Sequence, residues 1–200
     1  MEKGAFDERY KKENDFWGDK PAKAVNLLLD LKKSDTVLDL GVGQGRNALF
    51  LAGNGFNVTG VDISPEGVNQ FINTAKTRGL IVKGTVCDIR DYEYPQDFDV
   101  IMSIATLPFL KKEEIAPVIQ NMKQHTNRGG INLITVFTED DPASKKMTRL
   151  YYFKKNELKQ FYDDWDIVRY NEFTTPPEKH GENGVLHTHA IAVIIARKRF

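Results

Sequence analysis

Three glycines alternate in the run Leu38-Asp39-Leu40-Gly41-Val42-Gly43-Gln44-Gly45-Arg46-Asn47. Glycine tolerates positive φ and lets a ligand approach the backbone closely. Placed between an apolar run and a helical pattern, Gly41, Gly43 and Gly45 mark a nucleotide-binding turn. The spacing is G-x-G-x-G, not the G-x-G-x-x-G that seats a pyrophosphate at a helix N-terminus. Asp39, just before the turn, suits a cationic ligand end (a sulfonium or an ammonium) better than a pyrophosphate. Asp62 follows in Val61-Asp62-Ile63. A carboxylate at the end of the next strand can accept both hydroxyls of a ribose. In Cys87-Asp88-Ile89, Asp88 could accept from an adenine amino group while Ile89 packs on the ring. The competing readings are structural: a tight turn that binds nothing, and strand-end aspartates that cap loops. Cys87 reads as a small buried residue and not as a nucleophile.

A second group lies towards the C-terminus. His180, His187 and His189 are three of the four histidines, and Arg149, Tyr151 and Tyr152 precede them. His187 and His189 alternate, so both side chains face one side of an extended segment. A cluster of histidine and arginine could contact substrate and hold a small oxyanion. The H-x-H pair also admits a metal, but no carboxylate partner stands nearby in sequence, so no metal is assigned; plain structural roles remain open. His125, at a helix end, reads as structural.

These residues need elements to carry them. Helices are expected over 20–33, 46–54, from Ser64-Pro65 to Arg78, 112–125 and 154–163. Strands are expected over 36–40, 57–61, 80–86, 98–104, 131–138, 165–173 and 187–197, with Asn127-Arg128-Gly129-Gly130 as the turn into the fifth. Strands alternating with helices imply βαβ units and a mostly parallel sheet covered on both faces. The last two strands have no helix between them and must pair antiparallel if they are neighbours. The expected fold class is therefore α/β: a Rossmann-like, seven-stranded, mostly parallel sheet with helices on both faces and an antiparallel C-terminal strand. The chain reads as one domain, 1–200, with 1–34 as an N-terminal lid and helix segment.

Composition removes several function classes. Lys+Arg and Asp+Glu are equal at 28 each in 200 residues, so no long-range positive field draws in nucleic acid. A single cysteine rules out an internal disulfide and fits a reducing compartment. The N-terminus is charged, without the apolar core of a secretory signal, and no apolar run approaches the length of a membrane span. A cytoplasmic protein is expected, a monomer or homodimer, with a small-molecule substrate and neither nucleic acid nor membrane as partner.

The ordered motifs LDLGVGQGRN, VDIS, CDI, FDVIMS and NRGG resemble those of class I S-adenosylmethionine (SAM)-dependent methyltransferases. More narrowly, Phe16-Trp17-Gly18, Gly45-Arg46-Asn47 and the tail from NELKQFYDDWDIVRYNE to Ala196-Arg197-Lys198 are similar to the tellurite-resistance methyltransferase family. The resemblance covers almost the whole chain and implies SAM as cofactor. It places Gly41, Gly43 and Gly45 along the methionine part, and Arg46 and Asn47 at the amino-acid end. Asp62 with Ile63 would take the ribose, Asp88 and Ile89 the adenine, and Ser103 and Ala105 would face the methyl-bearing sulfur. Trp17 would fold over the ligand as a lid, or else anchor the N-terminus. Val42 stands where family members often carry cysteine. The implied acceptor is a tellurite- or selenite-type oxyanion; the alternatives are another small thiol or amine, or a catalytically silent SAM-binding module. A nicotinamide oxidoreductase is the rival enzyme class, and it would require the dinucleotide spacing and a second domain.

Overall fold

A computed structural model describes residues 3–31, 36–181 and 184–200. In chain order it has α1 (Lys3–Lys12), α2 (Lys23–Leu31), β1 (Thr36–Leu40), α3 (Arg46–Gly53), β2 (Asn57–Asp62), α4 (Pro65–Thr77), β3 (Val82–Val86), β4 (Phe98–Ile104), α5 (Lys112–Gln124), β5 (Thr126–Phe137), α6 (Glu157–Gln160), β6 (Asp166–Thr174) and β7 (Ala190–Arg197). The last two residues of the helix expected over 20–33 lie outside the described residues.

The seven strands form one sheet in the order β3-β2-β1-β4-β5-β7-β6. β3, β2, β1, β4 and β5 run parallel. β7 is antiparallel to both β5 and β6. Alternation along each central strand feeds two cores. Leu38, Ile101 and Ile134 pack beneath α5 with Ile115, Ile119 and Tyr162. Val37, Val100 and Leu133 face the opposite layer with Leu28, Leu49 and Phe71 from α2, α3 and α4. β1, β4 and most of β5 are buried on both faces, as apolar parallel strands must be. The edges differ: β6 alternates exposed and half-buried residues and carries Arg169 and Glu172, a polar edge that resists further strand pairing.

α4 starts where the sequence places it. Pro65 occupies the first turn and Ser64 Oγ accepts from Gly67 N at 3.1 Å, a cap that contributes roughly 1 kcal/mol. Some expected bounds shift. The Asn127–Gly130 turn lies inside β5 as a bulge: Gly129 has φ 72° and the register with β4 slips between Phe98 and Val100. The helix expected over 154–163 is reduced to Glu157–Gln160, because Tyr162 N→Lys159 O and Trp165 N→Tyr162 O are i→i−3 turns. α1 carried no helical expectation of its own, since its apolar residues are too few for a clear stripe.

Candidate active site

One cavity of about 600 Å³ opens at the C-terminal ends of β1, β2 and β4 and extends to the β6–β7 loop. Its lining at one end includes Gly41, Gly43, Gly45, Arg46, Asn47, Asp62, Ile63, Asp88, Ile89 and Ala105. At the other end it includes Phe137, Thr175, Glu178, His180 and His189, and Trp17 lies along the wall.

The glycine turn is held by its neighbours. Gly41 N and Val42 N both donate to Val61 O, at 2.8 and 3.0 Å. Gly41, Gly43 and Gly45 have φ of 89°, 53° and 91°. A Cβ on Gly41 would overlap Thr106, and one on Gly45 would overlap the Phe71 ring. Packing as well as backbone conformation therefore demands glycine here.

Asp62 is fixed from two sides: Gly43 N donates to its Oδ2 at 2.8 Å and Ser64 N to its Oδ1 at 2.9 Å. The carboxylate is 8% exposed, and burial pushes its pKa up against the N–H bonds from Ser64, Gly43 and Ile63. Asp39 is buried beneath the turn and does not line the cavity. Burial pushes its pKa up to about 8; the charge of Asp62 adds to this and Arg46 opposes it. A protonated Asp39 adds no charge at neutral pH, so the carboxylate of Asp62 is the group at this turn that disfavours a pyrophosphate.

The N-terminal segment closes over this turn through contacts that the local sequence does not announce. Gln44 Oε1 accepts from Phe16 N at 2.9 Å, and Gln44 Nε2 donates to Glu13 O at 2.8 Å. Arg46 Nη1 donates to Trp17 O at 2.7 Å, and Asn47 Oδ1 accepts from Ala22 N at 2.9 Å. Arg46 and Asn47, expected at the amino-acid end of a ligand, thus also hold the N-terminal segment. Trp17 Nε1 donates to Tyr10 OH at 3.1 Å, and Asp7 of α1 accepts from Ser64 Oγ and Glu66 N at the start of α4. The hydrogen bonds of Asp7 to Ser64 and Glu66, of Tyr10 to Trp17 and of Gln44 to Glu13 and Phe16 carry no signal in the local sequence.

Other expected residues move. Asp88 faces the cavity, but its carboxylate already receives Arg90 Nε on Oδ1 at 2.9 Å and Arg90 Nη2 on Oδ2 at 2.6 Å, with Arg90 also tied to Glu114 at 2.6 Å. That fork holds the Asp88 pKa below the usual carboxylate range. Ile89 packs behind it in the core. Ser103 does not face the cavity: β4 directs its side chain into the interior, and among the described residues its Oγ has no partner. Ala105, the second residue beyond it, does line the wall, with φ 56°. Arg149 is exposed and off the cavity, on a solvent-facing stretch between the turn at Asp141–Met147 and the anchor Tyr151 N→Pro108 O at 2.8 Å. It does not join the histidines. Cys87 is half-buried, with burial pushing its thiol pKa up, as suits a packing residue.

The three histidines do come together. The ring centroids of His187 lie 5.0 Å from His180 and 4.8 Å from His189. A hairpin of backbone bonds sets them: Glu178 N→His187 O at 2.7 Å, His187 N→Glu178 O at 2.9 Å and Thr175 N→His189 O at 2.7 Å. His187 and His189 precede β7, which starts at Ala190 and not at 187. His180 stacks edge-on against Trp17 at 4.9 Å, so lid and loop meet there. Burial pushes its pKa down, which keeps the imidazole neutral. His189 Nδ1 lies 2.9 Å from Asp141 Oδ2, a buried carboxylate 48 residues away in sequence. His125 stacks on Tyr94 at 4.5 Å, at the end of α5 and away from the cavity.

The profile of the family described as "Tellurite resistance protein TehB" matches residues 9–191. The chain belongs to this family. It is 36% identical over 163 residues to a protein of Haemophilus influenzae (strain ATCC 51907 / DSM 11121 / KW20 / Rd) named probable S-adenosyl-L-methionine-dependent methyltransferase TehB, covering 82% of this chain and 57% of that protein. The crystal structure of TehB from Haemophilus influenzae superposes with a TM-score of 0.80 at 33% identity, covering 89% of this chain and 62% of that one. Magnesium protoporphyrin IX methyltransferase from Synechocystis PCC 6803, solved with bound SAH, shares the fold at 15% identity, with a TM-score of 0.75 and coverage of 98% and 97%. The chain thus spans about three-fifths of its TehB relatives' length. Among the described residues no helix is long and apolar enough to cross a membrane.

Proposed function

We propose that this chain is a SAM-dependent methyltransferase acting on a small molecule. The observation that carries the reading is that the glycine turn, with Asp62 at its side, opens into the same cavity as the His180–His189 wall. The donor set fits SAM. The turn backbone would line the methionine part. Asp62, held rigid by Gly43 N and Ser64 N, would accept the ribose hydroxyls. Asp88 and Ile89 would border the adenine, with the remaining lone pairs of Asp88 left to accept. The carboxylate of Asp62 at the glycine turn favours SAM over a dinucleotide pyrophosphate. SAM supplies a methyl group on a sulfonium, whose transfer is an in-line displacement that needs no acid. The protein's part is to align the acceptor and exclude water. The lid residues Phe16 and Trp17, tied down by Gln44 and Arg46, supply the exclusion.

The acceptor is a small nucleophile held at the histidine end. Tellurite- and selenite-type oxyanions are the first to test, because the family is described by tellurite resistance. Arg149 is absent from the wall and does not hold the acceptor.

Calorimetric titration with SAM, with NAD as the comparison ligand, tests the cofactor. Micromolar SAM binding without NAD binding supports the reading; no SAM binding overturns it. Formation of S-adenosylhomocysteine with tellurite, selenite or a small thiol then identifies the acceptor. SAM binding without turnover of any acceptor supports a silent binding module.

A further inference from the structure

The histidine end has the organisation of a metal site. One ring nitrogen from each of His180, His187 and His189 lies within 4.8 Å of the others. Two of the rings are oriented by acceptors that carry no proton. His189 Nδ1 faces Asp141 Oδ2 at 2.9 Å, and His187 Nδ1 faces Val185 O at 2.7 Å. A carboxylate and a carbonyl only accept, so both Nδ1 atoms carry the proton and donate it. Each Nε2 is then left with a free lone pair. Histidines that bind metals donate their other N–H to just such a carboxylate or backbone carbonyl, which fixes the tautomer and the ring.

Asp141 is built for that task. It is 2% exposed, and its Oδ1 accepts from Ala143 N at 2.8 Å while its Oδ2 also accepts from Ala190 N at 3.1 Å. These bonds aim the carboxylate at His189. The carboxylate that the neighbouring sequence lacks arrives from the loop after β5.

We propose that His180, His187 and His189 form a three-histidine site for a divalent transition ion of the zinc type, positioned by Asp141 and open towards the cavity. Among the described residues, three imidazole nitrogens and no carboxylate or thiolate converge there, a set that suits zinc, cobalt or nickel better than magnesium or calcium. Nitrogens at roughly 2.0–2.1 Å from one zinc lie about 3.4 Å apart, so binding draws the rings together by rotation about their side-chain bonds. His180 and His189 line the cavity, so the fourth position faces it. Three protein ligands and one open position is the pattern of a zinc site that handles substrate. That use rests on the methyltransferase reading; metal binding itself does not.

The test uses the full chain without an affinity tag, stripped of metal with a chelator and titrated with Zn²⁺ by calorimetry and with Co²⁺ by visible absorption, in the absence of SAM. One equivalent should bind, and Co²⁺ should show the intense bands of a four-coordinate site. His187→Ala and His189→Ala should each weaken binding at least about 100-fold. Asp141→Asn, which leaves all three ligands in place, should weaken it 10- to 100-fold. His125→Ala, on the far end of α5, should bind as the parent does. Circular dichroism melts identify any variant that fails to fold, and His189→Gln then replaces His189→Ala. Absence of stoichiometric binding, or binding unaffected by loss of His187 and His189, overturns the proposal. Because SAM is absent, failure here leaves the SAM titration untouched, and failure of the SAM titration leaves this result standing.

Discussion

The two ends of the cavity are assembled in different ways. At the glycine-turn end, the groups come from three successive strand ends, and the bonds that fix them are local to that half of the sheet: Gly43 N to Asp62, Ser64 N to Asp62, Gly41 N to Val61. At the histidine end, a hairpin loop beyond β6 brings three imidazoles together and a buried carboxylate from another loop orients one of them. The first end is a property of the βαβ unit; the second exists only because β7 inserts between β5 and β6. The N-terminal segment bridges them, with Arg46 holding Trp17 and Trp17 packed on His180. A glycine turn can therefore be written in a short motif, whereas a cluster of imidazoles must be assembled from separate loops.

Substitutions can break this contrast or sharpen it. The largest effect is expected from Gly45→Ala. The positive φ and the overlap with Phe71 together cost about 3 kcal/mol, read by urea unfolding, and SAM affinity should fall with it. Next is Asp62→Ala, which removes the acceptor of two backbone N–H groups and of the proposed ribose contact. SAM affinity should drop about 100-fold by calorimetry, since hydrogen bonds to a charged group contribute roughly 1.5–3 kcal/mol each. Zn²⁺ binding by the same variant should not change; a loss at both ends would refute their independence.

The third test uses pH. Asp39 keeps its proton to about pH 8 when folded but releases it near its ordinary value of 3.8 when unfolded. Between those values the folded state binds more protons, so stability falls as pH rises, by up to about 1.4 kcal/mol per pH unit for one fully coupled group. Asp39→Asn should flatten this fall in unfolding experiments between pH 6 and 7; an unchanged slope would show that Asp39 ionises normally. Trp17→Ala comes fourth. It removes the link between the two ends and should weaken SAM about fivefold while leaving the melting temperature near that of the parent. An effect on SAM as large as that of Asp62→Ala would mean that the lid dominates binding. The smallest effect belongs to Ser103→Ala. Deleting an unpaired buried hydroxyl should be neutral or stabilising by less than about 1 kcal/mol, with SAM affinity unchanged. A clear loss of SAM binding would return Ser103 to the site.

The legible parts of the chain are those where period and punctuation are local. β1 and β4 fall where their apolar runs predict, and α4 begins at Ser64-Pro65 because the cap chemistry sits in adjacent residues. The glycine turn and Asp62 are readable for the same reason. Arg149 illustrates the opposite: its type suits an oxyanion, but no local signal says that its stretch of chain faces solvent. Ser103 lies buried within β4, whereas Ile104 and Ala105 at the strand end line the cavity, a difference in depth along the strand that the local sequence does not mark. The late helix shrank because tertiary packing of Tyr162 and Trp165 against the sheet outweighs the helical pattern of 154–163.

By itself, the sequence determined the α/β class, the antiparallel ending of the sheet, the glycine turn and the strand-end acids. Each rests on interactions between residues close in the chain or on a period that repeats within one element. Tertiary structure alone decided that Gln44, Arg46 and Asn47 hold the N-terminal segment, that Arg90 ties Asp88 to Glu114, and that Asp141 orients His189. Those contacts join residues up to 48 positions apart, and chain folding fixes such pairs through the shape of the whole sheet, which no local pattern encodes.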